Sequence, residues 1–169
     1  GEENRLGRRT PERYLDDRQH LKATRLKLLC RLGALPLMDR VGREASPKWP
    51  KHYRTCPMCK RGAVEDVTHF LTTCPAYETH RTRLYTQVGR ALRASLVGDE
   101  VDFDNQNATT QARILLGKWL NDKLLEDRID RHIKTYMIKA WNIRTPMTHK
   151  INRIMGRSDD VWAKPRETG

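Results

Sequence analysis

Three of the four cysteines lie in one short stretch with a histidine between them, in the spacing C-x2-C-x9-H-x4-C. The Cys56–Cys59 pair forms a tight turn that presents two thiolates to one ion, and His69 and Cys74 are separated by about one helical turn. Gly62 permits the chain to reverse between the two pairs. Four protein ligands close a tetrahedron and leave no position for water. The pattern therefore predicts one structural Zn²⁺ held by these three cysteines and the histidine.

Two other uses of such cysteines fit the chain less well. A redox C-x2-C motif is expected within a βαβ unit, which this sequence lacks, and a disulfide framework is typical of secreted chains. His52 and His80 flank the motif and could replace a ligand, but both are expected on the surface. Cys30 falls on the apolar side of a predicted helix, so it is interpreted as a core thiol.

The composition limits the size of the core and indicates the kind of partner. Only 37% of the 169 residues are hydrophobic, so a bound metal would supplement a small core. No apolar run approaches the roughly 18 residues of a membrane span, and no apolar signal segment follows the N-terminus, so we expect neither an integral membrane protein nor a secreted one. The net charge is +12, of which +10 falls in residues 1–98. This distribution favours nucleic acid as the partner over an anionic membrane surface.

Helical periodicity dominates the rest of the chain. The predicted fold is mostly α: a helical domain with a small zinc-held CCHC unit inserted between helices. We expect a basic helical region at 1–98 containing the zinc unit (55–76), an acidic linker or loop at 99–110, and a C-terminal helical region at 111–169.

The first predicted helix begins at Thr10–Glu12 and ends near Leu32, before Gly33. Its apolar stripe consists of Leu21, Leu28 and Leu32, is widened by Leu29, and is expected to be buried. A basic stripe of Arg18, Lys22 and Arg25 lies beside it, either facing phosphates or snorkelling around the core.

Two further helices carry apolar residues at helical spacing. One runs from Pro75 or Ala76 to about Val97. The other runs from about Asn121 to Arg144 and is expected to end at Thr145-Pro146. Their predicted core residues are Leu84, Val88, Ala91 and Leu92 in the former, and Leu125, Ile129, Ile133, Met137 and Trp141 in the latter.

Basic residues near the zinc unit are the candidate phosphate contacts, and two aromatic residues are candidates for stacking on unpaired bases. The aromatic residues could equally cover the zinc core. The predicted nucleic-acid-binding residues are Arg18, Lys22, Arg25, Lys27, Trp49, Tyr53, Arg54, Lys60, Arg61, Arg81 and Arg83, with Arg90 and Arg93 as an extension.

The stretch CPMCKRGAVEDVTHFLTTCP resembles the CCHC-type zinc-binding segment that follows the reverse transcriptase in non-LTR retrotransposons, and LLCRLGALPLMDRV resembles the helix and Leu-Pro turn that precede it. The likeness covers about residues 21–80. It implies a C-terminal module, not an enzyme by itself, that helps a reverse transcriptase hold its RNA or target DNA. It also implies contact with the rest of that chain and an intracellular, nuclear location during integration. The matching positions are Cys56, Cys59, Gly62, Glu65, His69, Leu71, Cys74 and Pro75.

Two other functions have weaker support. Tyr14-Leu15-Asp16-Asp17 matches a polymerase Y-x-D-D box, but it lies in a helix-like pattern, so its acids are expected in a first helical turn. An endonuclease would need convergent carboxylates. The acidic loop has carboxylates but no PD…D/E-x-K arrangement to make them converge: Asp99, Glu100, Asp102 and Asp104. The alternative to nucleic-acid binding is a protein-interaction or scaffolding module using the apolar stripe of the long C-terminal helix.

Overall fold

The computed structural model describes residues 16–95, 101–118 and 121–158. Within these ranges, extended pairing is limited to one antiparallel bridge between Thr55 and Val64. The predicted mostly α fold, with a cluster of cysteine and histidine among the helices, is confirmed. The helices are α1 (Asp17–Arg31), α2 (Met38–Glu44), α3 (Glu78–Arg93), α4 (Ala108–Leu115) and α5 (Lys123–Met155), with short 3₁₀ turns at Lys51–Tyr53 and Pro75–Tyr77 and a π turn at His69–Thr73.

Helix α5 is the scaffold on which α1 and α3 pack. The predicted core residues of α3 and α5 are all buried, as their spacing indicated. The basic helical region and the C-terminal helical region were expected on either side of the acidic segment. Their buried residues form one hydrophobic core, which also includes those of residues 55–76. Polar contacts hold α1 antiparallel to α5, with Lys22 bonded to Asn142 and Lys27 paired with Asp130.

The predicted inner face of α1 is wrong. Leu21, Leu28 and Leu32 are 52%, 55% and 68% exposed, whereas the buried residues of α1 are Ala23, Leu26 and Cys30. These two sets lie on opposite sides of a helix with 3.6 residues per turn. The face with Ala23 and Cys30 is buried because α1 packs on α5. The stripe richest in leucine is therefore not the buried one.

The start of α1 is defined by Asp16, whose carboxylate accepts a hydrogen bond from the Gln19 backbone N–H at 2.8 Å. The helix therefore begins at Asp17, which lies in its first turn as expected of these acids. The predicted start at Thr10–Glu12, and Tyr14 of the Y-x-D-D match, lie outside the described residues.

The predicted end of the long helix is also wrong, because α5 continues through Pro146 to Met155. A proline inside a helix removes one backbone hydrogen bond and costs about 3 kcal/mol. Beyond it, α5 still has an inward polar face, with Thr148 and Asn152 buried. Asn152 donates to the Ser158 carbonyl, and Thr148 accepts a hydrogen bond from the buried Arg144 side chain. These contacts hold the final turns in helical form.

Residues 101–107 of the predicted acidic loop are irregular and attached to the helices by Phe103, whereas its last three residues, 108–110, already belong to α4. This side chain is buried and makes an edge-to-face contact with Tyr85 of α3. Gln111 of α4 joins both, accepting from the Tyr85 hydroxyl and donating to the Phe103 carbonyl. Asp102 and Asp104 are exposed, and Asp99 and Glu100 lie outside the described residues. None of the described helices is long and apolar enough to cross a membrane.

Candidate metal centre

The four predicted ligands, Cys56, Cys59, His69 and Cys74, lie together in the fold. Their ligand atoms are all within 4.8 Å of one another. The Sγ atoms of Cys56 and Cys74 are 3.8 Å apart, and Cys59 Sγ lies 3.6 Å from His69 Nε2. The sequence prediction of the ligand cluster is confirmed: these residues can hold one metal ion.

These distances can be compared with the edges of a metal-centred tetrahedron. With Zn–S bonds of about 2.3 Å and Zn–N bonds of about 2.05 Å, a tetrahedral site has S–S edges of about 3.8 Å and S–N edges of about 3.6 Å. The two measured separations match these edges. Three thiolates and one imidazole are also a donor set that suits Zn²⁺. The residues therefore fit a four-coordinate structural site.

The first ligand pair lies at a tight reversal of the chain. The Cys56 N–H donates to the Ala63 carbonyl, and the Lys60 N–H donates to the Cys56 carbonyl. Next to these bonds, Thr55 and Val64 form the isolated bridge. Gly62 has φ +75°, the left-handed conformation that its prediction as a reversal point requires. Lys60 also has positive φ, at 54°, an unusual conformation for a residue with a Cβ.

The second ligand pair is set by a π turn. In the H-x4-C spacing, the Cys74 N–H bonds back to the His69 carbonyl five residues earlier, at 2.9 Å. Asp66 caps the start of this turn by accepting from the His69 N–H. His69 Nδ1 forms a 3.0 Å hydrogen bond with the Thr73 hydroxyl, which leaves Nε2 directed at the cysteines. This is the usual way in which an outer partner orients a metal-binding imidazole.

A hydrogen bond between two of the thiols shifts their pKa values in opposite directions. The hydrogen bond between Cys56 and Cys74, together with burial, raises the pKa of Cys56 to about 12. The same hydrogen bond lowers the pKa of Cys74. In the absence of a cation, Cys56 therefore keeps its proton near pH 7. Metal binding needs both thiolates, so it must displace that proton.

Two buried side chains attach residues 55–76, which we call the metal unit, to the helices. Arg81 of α3 is buried and donates to the Cys74 carbonyl at 2.6 Å. Tyr136 of α5 is also buried and donates to the Phe70 carbonyl at 2.6 Å. Both bonds satisfy carbonyl groups of the segment that carries the second ligand pair. The metal unit is therefore attached to both α3 and α5.

A buried ion pair forms a third attachment. Glu65, between the second and third ligands, accepts from Arg144 Nε at 2.7 Å and from Arg144 Nη2 at 2.9 Å. The two side chains are 1% and 0% exposed, so neither charge is solvated. Glu65 also accepts from the Met38 N–H at the start of α2. This carboxylate therefore connects the metal unit to α2 and α5.

Sequence reasoning did not assign either partner of this pair. Glu65 appeared only as a position in the family pattern, and Arg144 only as the last residue of a predicted helix. The available signal was a glutamate inside a short metal-binding loop with a full set of ligands already present. Such a carboxylate is free for a second role, but its partner is 79 positions away in the chain.

Several predicted nucleic-acid contacts are engaged within the fold. Lys22 donates to Asn142, and Lys27 pairs with Asp130. Arg54 is half-buried and pairs with Asp39 at 3.0 Å. The buried Arg81 holds the Cys74 carbonyl, as described above. These four side chains have structural partners, so they are placed less favourably for phosphate contact than fully exposed cations.

The other predicted contacts are more accessible. Tyr53 is 65% exposed, and its ring lies beside that of His52, with centroids 4.5 Å apart and the planes tilted by 38°. Trp49 is half-buried, packing with the Arg54 stem against Gly42, where no Cβ would fit. The exposed cations of the predicted set are Arg18, Arg25, Lys60, Arg61 and Arg83.

The remaining cysteine and the flanking histidines do not join the ligand cluster. Cys30 is buried in α1, as expected, and burial raises the pKa of its thiol to about 12. His52 is exposed, and His80 is half-buried between α3 and α5.

Searches with the whole chain against models of protein families, curated protein sequences and solved structures found no significant match.

Proposed function

We propose that this chain is a zinc-stabilised nucleic-acid-binding module of a retroelement reverse transcriptase, which positions RNA template or target DNA for reverse transcription. The metal is one structural Zn²⁺ held by the Cys3His cluster. The role is binding, with polymerase or endonuclease chemistry belonging to other parts of a longer polypeptide. The nuclear location during integration is part of the same proposal and follows from the resemblance of the CCHC segment.

The observation that carries the proposal is the charge around the first ligand pair. Residues 45–64 contain five Lys or Arg residues and no Asp or Glu. Four of these five are exposed: Lys48, Lys51, Lys60 and Arg61. We call these four side chains the zinc-loop cations. Exposed cations of this kind attract a phosphate backbone, and counterion release then favours binding.

An exposed aromatic residue adds a second kind of contact. Tyr53 lies three positions before Cys56 within the same acid-free segment. Its ring is mostly open to solvent, and Lys51 is in the same 3₁₀ turn. Unpaired bases stack on such rings with about 1–3 kcal/mol per base. This combination of cations and an aromatic platform favours single-stranded segments of RNA or DNA.

The proposal is tested by fluorescence anisotropy with labelled single-stranded RNA and DNA of the same sequence over a range of salt concentrations. We expect log affinity to fall linearly with log salt concentration. The Lys60→Gln/Arg61→Gln double variant should reduce the slope by about 1.4, since each lost phosphate contact on a single strand removes about 0.7. The matched control is Lys150→Gln/Arg153→Gln, which removes the same charges from exposed positions near the end of α5. Affinity without salt dependence would contradict the proposal.

A protein-interaction module is the second candidate function. The stripe first considered for it, Ile129, Ile133, Met137 and Trp141, is buried inside this chain. A different observation favours it: the exposed leucine stripe of α1 described above. Sedimentation of the chain with and without RNA separates the two functions. A monomer that binds RNA supports the first, whereas a dimer that is indifferent to RNA and is dissociated by Leu28→Glu supports the second.

A further inference from the structure

A shallow groove lies between α3 and α5, away from the ligand loop. Its floor is formed by Leu84 and Tyr136, and its rims carry His80 and Arg83 from α3 and His132 and Lys139 from α5. A glutamine and a threonine complete the lining, and no acidic residue is among the described residues that line it. We call this surface the α3–α5 groove.

The groove carries two fixed cations, Arg83 and Lys139. Among the described residues, neither Arg83 nor Lys139 forms an ion pair, whereas nearby Lys134 is paired with Asp130. Two cations that face each other across a groove repel, and an anion between them removes that repulsion. The charge of the groove therefore favours an anionic ligand.

The histidines of the groove add hydrogen-bond donors and no negative charge. Burial, with Arg131 beside it on α5, lowers the pKa of His132, so its imidazole is neutral near pH 7. A neutral imidazole still carries one N–H donor. The groove is thus lined by arginine, lysine and imidazole N–H groups. These donors suit the several acceptor oxygens of a phosphate group.

The floor of the groove connects it to the metal unit. Tyr136 is buried, and its hydroxyl donates to the Phe70 carbonyl within the π turn that carries His69. His80 lies on α3 one residue before Arg81, which holds the Cys74 carbonyl. The segment that carries His69 and Cys74 is therefore hydrogen-bonded to both helices that form the groove.

We infer that the α3–α5 groove binds a backbone phosphate of the nucleic acid that the proposed function assigns to this chain. This inference rests on that function and extends it to a second site, with Lys139, His80 and His132 as contacts that the sequence analysis did not include. The nucleic acid then contacts two surfaces, the zinc-loop cations and the groove.

The test uses the zinc-loaded full chain and fluorescence anisotropy with labelled single-stranded RNA. We expect Arg83→Gln and Lys139→Gln each to weaken binding by about fivefold at 0.1 M salt and to reduce the salt slope by about 0.7. Their matched controls are Arg153→Gln and Lys150→Gln, which remove the same charges from exposed positions on α5. Lys150 lies about 16 Å from Lys139 along the helix axis. The control variants should keep the wild-type affinity to within about twofold, and zinc content and melting temperature should be unchanged in all four.

Three other results would overturn the inference in different ways. If the wild type binds RNA but the groove variants match their controls, the groove is not a contact, although the proposed function stands. If the wild type shows no salt-dependent binding at all, both fail together. If inorganic phosphate binds the wild type as tightly as the RNA does, and Lys139→Gln abolishes that binding, the groove is a site for free phosphate and not for a nucleic-acid backbone.

Discussion

The metal unit and helix α1 show opposite relations between sequence pattern and structure. In the metal unit, the spacing of four residues predicted the ligand set, and all four ligand atoms lie within 4.8 Å of one another. In α1, an equally regular leucine spacing predicted the buried face, and those leucines are instead exposed. Both segments are short and both patterns are clear, so the clarity of the pattern does not explain the difference.

The two interactions differ in how strictly they fix the positions of the atoms involved. A metal site requires particular atoms at particular distances, and the intervening residues largely determine whether the chain can supply them. Hydrophobic burial is non-directional, and a helix with apolar residues on several faces can bury any of them. In α1, Ala23, Leu26 and Cys30 form the inner face because α5 occupies that side.

Removal of one metal ligand should have the largest effect. We expect Cys59→Ser to lose most of the bound metal, from about one zinc per chain, and to unfold the metal unit, since metal binding provides its folding energy. Metal analysis and thermal denaturation provide the measurements. The control is Cys30→Ala, a buried thiol outside the cluster, which should retain the metal. Equal metal content in the two variants would contradict the assigned ligand set.

The buried ion pair should have the next largest effect, because it joins the locally determined unit to the distant helix α5. Arg144→Met leaves the Glu65 carboxylate buried without its cation. We expect a loss of about 3–5 kcal/mol in the free energy of unfolding, measured by urea denaturation.

A double-mutant cycle with Glu65→Gln then measures the coupling between the two residues. The Glu65→Gln/Arg144→Met variant should be more stable than the sum of the single losses predicts, because no unpaired charge remains. Additive losses would show that the two side chains act independently.

The two faces of α1 provide the direct test of the comparison. Leu26 is 1% exposed and Leu28 is 55% exposed, although both are leucines on the same helix. Leu26→Ala should destabilise the chain by about 2–5 kcal/mol, whereas Leu28→Ala should remain within about 0.5 kcal/mol of the wild type. Urea denaturation of the two variants decides between the faces. A large loss in the free energy of unfolding for Leu28→Ala would show that the face predicted from the sequence is the buried one.

The smallest effect is expected at Tyr77, beside the metal unit. Its ring is buried and makes an edge-to-face contact with Phe70, but its hydroxyl has no hydrogen-bond partner among the described residues. Burial raises the pKa of this hydroxyl. Tyr77→Phe keeps the ring and removes the unpaired polar group, so we expect stability to be unchanged or increased by about 1 kcal/mol. A loss of more than about 1 kcal/mol would indicate a partner for the hydroxyl in solution.

The periodicity of α3 and α5 was predictable because each helix has one dominant apolar face. Leu84 and Val88 in α3, and Ile129 and Ile133 in α5, are buried as predicted. The end of α5 was not predictable from Pro146, since local preference argued for a stop there. The hydrogen bonds that Arg144 donates to Glu65 and to Thr148 keep the helix continuous.

The sequence by itself determined the ligand set, the helical class and the excess of positive charge near the ligand loop. These properties depend on residue identity and on separations of a few positions along the chain. Only the tertiary structure decided which face of α1 is buried, which carboxylate pairs with Arg144, and which cations line the α3–α5 groove. These depend on residues that are distant in the chain, and their proximity is created by the packing of α1 and α3 on α5.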